Sequence, residues 1–247
     1  MDMAKRHLVT AHQANYLPYL GFFEKISISD LFVLVDDTQF VKRGPFGWIH
    51  RNRILGPNGP QWLTIPVETH DKYDQLISEV KISQNTPWRR KHLKSIEVAY
   101  RKSPFYSELF PEIQDIYERE WQDLLSISSE MINWVLKVLK IETPQMRSSS
   151  LSLQGKSSDY VLELAQKTNA THYLSGMHGR EYLDLEKFKE AKMELVFQDF
   201  KCEPYLQGKR EQFTPYLSTL DALFSVGPES TRELLVKGSR YNCPHQG

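Results

Sequence analysis

Four stretches of the chain carry side chains that could do chemistry. The first is His12-Gln13-Ala14-Asn15-Tyr16-Leu17-Pro18. An imidazole with an ordinary pKa of about 6.5 can accept a proton from an amine or hydroxyl nucleophile near neutrality. The carboxamides of Gln13 and Asn15 can orient an acceptor or stabilise an oxyanion, and Tyr16 adds a phenol for substrate binding. The plainer reading is that His12 and Asn15 only cap a following helix.

The second stretch, Asp36-Asp37 with Gln39, closes an apolar run. A carboxylate pair there suits the hydroxyls of a sugar or a divalent cation, magnesium first, and makes Asp36 and Asp37 catalytic candidates beside His12 and Asn15. Neighbouring strand residues face opposite sides, so only one of the two enters a given crevice. A polar strand terminus is the competing reading. Third come Lys42, Arg43, Trp48, Arg51, Asn52 and Arg53. Arg51 and Arg53, two apart on an extended segment, could share a side and clamp a phosphate or carboxylate; a solvated basic loop is the alternative. In the fourth, Ser175-Gly176 follows an apolar run and could present backbone N–H groups to an anion. Gln154-Gly155-Lys156-Ser157-Ser158 lacks the upstream glycine of a phosphate-binding loop. No spacing of His and Cys indicates a resident protein metal site.

The elements that must position these groups follow from periodicity. Residues 7–11 read as a buried strand, 19–29 as a helix and 31–35 as a second buried strand, which makes a parallel βαβ unit. Residues 38–61, rich in Gly and Pro, read as loop, and 62–67 and 76–82 as strands. Thr86-Pro87 opens a helix that continues through Tyr100, Ser103-Pro104 breaks it, a second helical pair spans roughly 105–140, and Ser148–Ser150 reads as a linker. Helices over 157–168 and 186–191 alternate with strands starting at His172 and Met193. Two helices, 215–225 and 228–237, close the pattern. The fold class is therefore α/β: a Rossmann-like, open, mainly parallel sheet with flanking helices and a mostly helical middle segment. The expected organisation is an α/β part with the site over 1–85, a helical segment over 86–147, a second α/β part of the same domain over 148–237, and a frayed tail over 238–247.

Composition narrows the function classes. The 247 residues include 31 Lys plus Arg against 31 Asp plus Glu, a formal net charge of zero. That balance argues against a dedicated nucleic-acid binder. The longest apolar run, Leu31–Val35, is far too short to span a membrane, and the first residues contain no apolar signal core. Cys202 and Cys243 form no paired motif, which fits a reducing compartment. A cytoplasmic protein with a small-molecule substrate is expected, with no oligomeric state specified. Aromatic residues make up 12% of the chain and mix with donors, as in a pocket for a planar or sugar-like ligand.

The sequence His12-Gln13-x-Asn15-Tyr16-Leu17-Pro18-x-Leu20-Gly21-Phe22-Phe23-x-Lys25-Ile26 resembles the opening signature of the WbqC-like family. Asp36-Asp37-x-Gln39-Phe40-x-Lys42-Arg43, Asn52-Arg53-Ile54, Trp62–Val67, Trp88–His92, Tyr173–Gly176, Phe197–Phe200 and Pro215–Asp221 extend the resemblance from about residue 7 to 235. Ala14 stands where the family often has Pro, and His50 where Asn or Gln is commoner. The resemblance implies a place in surface-polysaccharide or specialised-metabolite biosynthesis, with acyl or aminoacyl (glycyl) transfer onto a nucleotide-linked amino sugar or a similar phosphorylated metabolite. A weaker architectural likeness to nucleotidylyltransferases, with Asn15 in place of the second His of their HxGH motif, implies ATP-dependent carboxylate activation as the alternative. A ligand- or RNA-binding module without catalysis is the third reading.

Overall fold

A computed structural model of the chain describes residues 6–42, 49–208, 210 and 212–242. Strand β1 (Leu8–Gln13), helix α1 (Leu20–Ser27) and strand β2 (Leu31–Val35) form the expected parallel unit, with His12 opposite Leu34 and Gln13 opposite Val35. A hairpin follows, β3 (Arg51–Gly56) and β4 (Gly59–Thr64). Then come α2 (Trp88–Tyr100), α3 (Tyr106–Glu118), α4 (Leu124–Val138), β5 (Gln145–Arg147), α5 (Ser158–Lys167), β6 (His172–Ser175), α6 (Leu185–Glu190), β7 (Glu194–Gln198), α7 (Thr219–Gly238) and β8 (Tyr241–Asn242).

The main sheet has the order β5-β2-β1-β6-β7-β8. β5, β2, β1, β6 and β7 run parallel and β8 is antiparallel at the edge. This is an α/β, Rossmann-like fold. Alternation along the strands separates two apolar cores. Val9, Val33, Tyr173, Leu195 and Phe197 pack against Val161, Leu164 and Ala165 of α5 and Phe188 of α6. Phe32 and Leu34 join a larger core with α1, the β3–β4 hairpin, the three middle helices and α7. Burying apolar area on both faces is what a mainly parallel sheet requires, and it accounts for the uninterrupted apolar run of β2.

Four expectations change. Residues 76–82 are not a strand: Ile77–Glu79 form a 3-10 turn, with the Glu79 carboxylate accepting the Leu76 N–H at 2.8 Å. The buried pair Ile77 and Val80 are three residues apart, a helical rather than a strand spacing. The stretch read as loop contains β3 and the start of β4. Pro60 is tolerated because a two-stranded hairpin leaves each strand an edge on which a missing N–H costs nothing. Three residues of the middle segment form β5, and Tyr241 of the supposed frayed tail pairs with Gln198. The two terminal helices form as expected, the first from Thr219: α7 breaks at Gly227, whose φ of 81° only glycine adopts readily, and Pro228 opens its second half.

Candidate active site

The chain leaves β1 toward β2 on one side and later returns to β6 on the other. The gap between the carboxyl ends of β1 and β6 is therefore the topological switch point, where open α/β sheets bind ligands. His12 lies at this edge. Thr10 pairs with Leu174, so continued register brings His12 level with Gly176 on the same face. A side chain built on Gly176 would meet nothing within 4 Å, so the space at that position is open.

The His12 ring packs edge-on against Phe22 of α1, with centroids 4.9 Å apart. Its Nδ1 lies 3.1 Å from the Gln13 carbonyl oxygen, which only accepts, so Nδ1 carries the hydrogen and Nε2 the lone pair. Burial, reinforced by the nearby positive charge of Lys25, lowers the His12 pKa to about 3. The imidazole is therefore neutral at physiological pH. Lys25, which the reading by motif left out of the site, is 3% exposed and donates to the Ala11 carbonyl at 2.9 Å. Burial lowers its pKa to about 7, against the opposing pull of Glu24. A lysine between Phe23 and Ile26, on a helix that is buried almost all round, was the sequence signal for it.

The other loop residues do not cap α1, whose N-cap is Tyr19 with no side-chain cap bond. Gln13 Nε2 donates to Thr38 Oγ1 at 3.1 Å. Asn15 Oδ1 is buried without a hydrogen-bond partner. Tyr16 is fully buried, and its hydroxyl bonds His92 and Tyr117 inside the helical segment. It anchors the loop from below and lies away from the crevice surface.

Asp36 and Asp37 follow β2 at the same edge, and both Asp36 oxygens and Asp37 Oδ1 are engaged. Asp36 accepts from Ser148 Oγ at 3.1 Å, Ser149 N at 3.0 Å and Ser149 Oγ at 2.9 Å. Asp37 Oδ1 accepts from Ser148 Oγ and from the Tyr160 hydroxyl, both at 2.6 Å. Donors aimed at both carboxylates suit a structural clasp between β2, the residues after β5, and α5. They compete for the lone pairs that a magnesium ion would use. Among the described residues no three His, Cys, Asp or Glu side chains cluster as metal ligands.

On the hairpin, Arg51 and Arg53 do share a face. Their guanidinium carbons lie 4.6 Å and 5.7 Å from the ring centre of Trp62, which is 41% exposed. Asn52 points inward and donates to the Leu17 carbonyl at 2.6 Å, tying the hairpin to the His12 loop. His50, just before the hairpin, is buried, with Nδ1 unpartnered. Burial first, then Arg51 and Lys42, lower its pKa to about 4. Gln39 donates to the Tyr73 carbonyl at 3.0 Å and Lys42 to Thr69 Oγ1 at 2.9 Å, both on the surface. Arg43 and Trp48 lie outside the described residues. Ser175 is buried and donates to its neighbour's carbonyl, Gly176 O, at 3.2 Å.

Outside this edge, the amides of Gln154 and Gly155, where a phosphate would sit in a binding loop, are taken by the Glu163 carboxylate at 2.8 Å and 2.9 Å. Two surface clefts lie elsewhere, about 240 Å³ between α3 and α4 and about 340 Å³ around Tyr205 and Phe213. No described helix is long and apolar enough to cross a membrane.

Comparison with known proteins places this architecture. The chain is 32% identical over 219 residues to the uncharacterized protein Rv1507c of Mycobacterium tuberculosis, covering 88% of this chain and 93% of that one. No solved structure matches it significantly. The model of the WbqC-like protein family matches residues 13–233, which include the loop after His12, the Asp36-Asp37 pair and the Arg51–Arg53 hairpin, and the chain belongs to that family.

Proposed function

We propose that this WbqC-like protein is a transferase that moves an acyl or aminoacyl group, glycyl included, onto an amino sugar carried on a nucleotide or phosphate, in surface-polysaccharide or specialised-metabolite biosynthesis. The observation that carries the reading is His12: a neutral imidazole of fixed tautomer, at the switch point, on the same sheet edge as the open position at Gly176. In this scheme the sugar amine attacks the acyl carbonyl carbon and a C–N bond forms. His12 Nε2 takes the amine proton and passes it to the leaving group, which departs with the bonding electron pair. Asn15, with its unpartnered oxygen, and Gln13 orient the amine. Asp36 and Asp37 hold the clasp that shapes the β2 side of the crevice. Lys42, Arg51 and Arg53 hold the nucleotide's charged part, and Trp62 offers a face to a planar ring.

A thermal-shift panel of nucleotide sugars, ATP and aminoacyl donors tests substrate class, because a bound ligand raises stability by mass action. Stabilisation by a nucleotide-linked amino sugar is the expected result. Magnesium-dependent pyrophosphate release would point instead to ATP-dependent activation of a carboxylate. Salt-sensitive RNA binding without turnover would point to a binding module. With a substrate in hand, His12→Ala should lower turnover by about 10²–10⁴-fold. For the free enzyme, the acid limb of the kcat/KM profile should fall near pH 3, because His12 stays unprotonated down to there. A folded His12→Ala protein with near-normal turnover refutes the assignment.

A further inference from the structure

A lysine this deeply buried has a cost, and the pull of Glu24 offsets only part of it, without an ion pair. Moving an ammonium out of water costs several kcal/mol unless a counter-charge or a full set of acceptors meets it. Lys25 Nζ has a single hydrogen-bond acceptor among the described residues, the Ala11 carbonyl. The acid beside it in sequence, Glu24, is turned to other partners, accepting from Gln198 Nε2 and from Ser239 Oγ. No carboxylate of the described residues forms an ion pair with Lys25. The acceptor it does have belongs to the residue before His12, so the ammonium lies against the carboxyl-terminal half of β1. It shares the α1 side of the sheet with the His12 ring, which rests on Phe22 three residues before Lys25. Across the edge, the position of Gly176 leaves space that any larger residue would fill.

We infer that Lys25 is the buried cation of a phosphate subsite at the gap between His12 and Gly176, where its free N–H groups meet a phosphate oxygen of the substrate. Lysine binds phosphate as a point charge and needs no planar fork, which suits a narrow gap. The inference rests on the phosphorylated substrate proposed above and says where that phosphate goes. It also resolves a difficulty in the chemistry. An imidazole held to a pKa of about 3 is a weak base. Lys25 contributes to that weakness, and a phosphate beside the pair stabilises the imidazolium. His12 thus becomes an effective proton acceptor only with substrate bound.

The test uses the wild-type protein with ¹³C-labelled lysine and inorganic phosphate or pyrophosphate as the probe, at ionic strength matched with chloride. Lys25 should titrate near pH 7, apart from exposed lysines near 10.4. Saturating phosphate should raise that midpoint by about one unit or more, as an anion close to an ammonium does. A midpoint that phosphate does not move overturns the subsite. Lys25→Met should weaken the phosphate-induced thermal shift at least about tenfold in concentration, and an unchanged shift overturns the subsite as well. If that variant fails to fold, the wild-type titration decides alone. Nucleotide sugars that bind without moving the Lys25 resonance overturn the subsite and leave the transferase reading standing. Phosphate that moves it, in a protein that ignores nucleotide sugars, keeps the subsite and removes their nucleotide-linked form as substrates.

Discussion

Acid should loosen this protein through His92, and the size of the effect follows from one buried chain of hydrogen bonds. His92 on α2 is 6% exposed, with Nε2 3.1 Å from the Thr64 carbonyl and Nδ1 2.9 Å from the Tyr16 hydroxyl. The carbonyl can only accept, so Nε2 bears the hydrogen and Nδ1 accepts from Tyr16. The Tyr16 oxygen in turn takes the hydrogen of Tyr117. In this arrangement a second proton on the imidazole has no acceptor, and burial holds the pKa at about 4 against an ordinary 6.5. The unfolded chain takes up that proton below about pH 6.5 and the folded chain only near 4. Stability from this group is therefore full above pH 6.5 and is lost as pH falls toward 4. Linkage puts the loss at about 2 kcal/mol by pH 5 and about 3 kcal/mol by pH 4. Urea unfolding at pH 7 and pH 5 checks this in the wild type and in His92→Gln, whose amide can still donate to Thr64 and accept from Tyr16. The variant should show a fall between the two pH values smaller by about 2 kcal/mol, whatever its stability at pH 7. His12 and His50 add equal falls to both proteins and cancel. An equal fall in the two proteins would refute the assignment of the acid response to His92.

Two further outcomes follow from the packing around the crevice. Ser148→Ala removes the one hydroxyl donor that Asp36 and Asp37 share and the acceptor for the Asp36 amide, so unfolding free energy measured in urea should drop by about 1–3 kcal/mol. A drop under about 0.5 kcal/mol would show that water replaces the clasp without penalty. Gly227→Ala should cost at least about 1 kcal/mol, because φ is 81° and the new methyl collides with the Phe105 ring. An unchanged Tm would mean that the kink between the two halves of α7 relaxes freely.

Much of the fold was legible because it rests on local patterns. The alternation of an apolar strand, an amphipathic helix and another apolar strand over residues 8–35 has one low-energy packing, a parallel βαβ unit, and it forms as read. The β3–β4 hairpin was hidden because its Pro57, Gly59 and Pro60 read as loop. The rule against proline in strands applies to sheet interiors and not to a hairpin edge. β5 and β8 were hidden because strands of three and two residues carry no period of their own. Neighbouring strands define them.

The candidate site divides along the same line. Residue types and their spacing in sequence identified the His12 loop and the pairing of Arg51 with Arg53 on one face of an extended segment, since period-two alternation is a backbone property. Sequence could not say that Asp36 and Asp37 would be met by Ser148, Ser149 and Tyr160, more than 100 positions away. Nor could it say that the Tyr16 hydroxyl would be spent on His92 and Tyr117, or that Lys25 would lie buried with its ammonium on the Ala11 carbonyl. A side chain's chemistry is fixed by its type. Its proton affinity and its availability to a ligand are fixed by what surrounds it, and in this chain the surroundings are assembled from distant segments by the folding of the sheet.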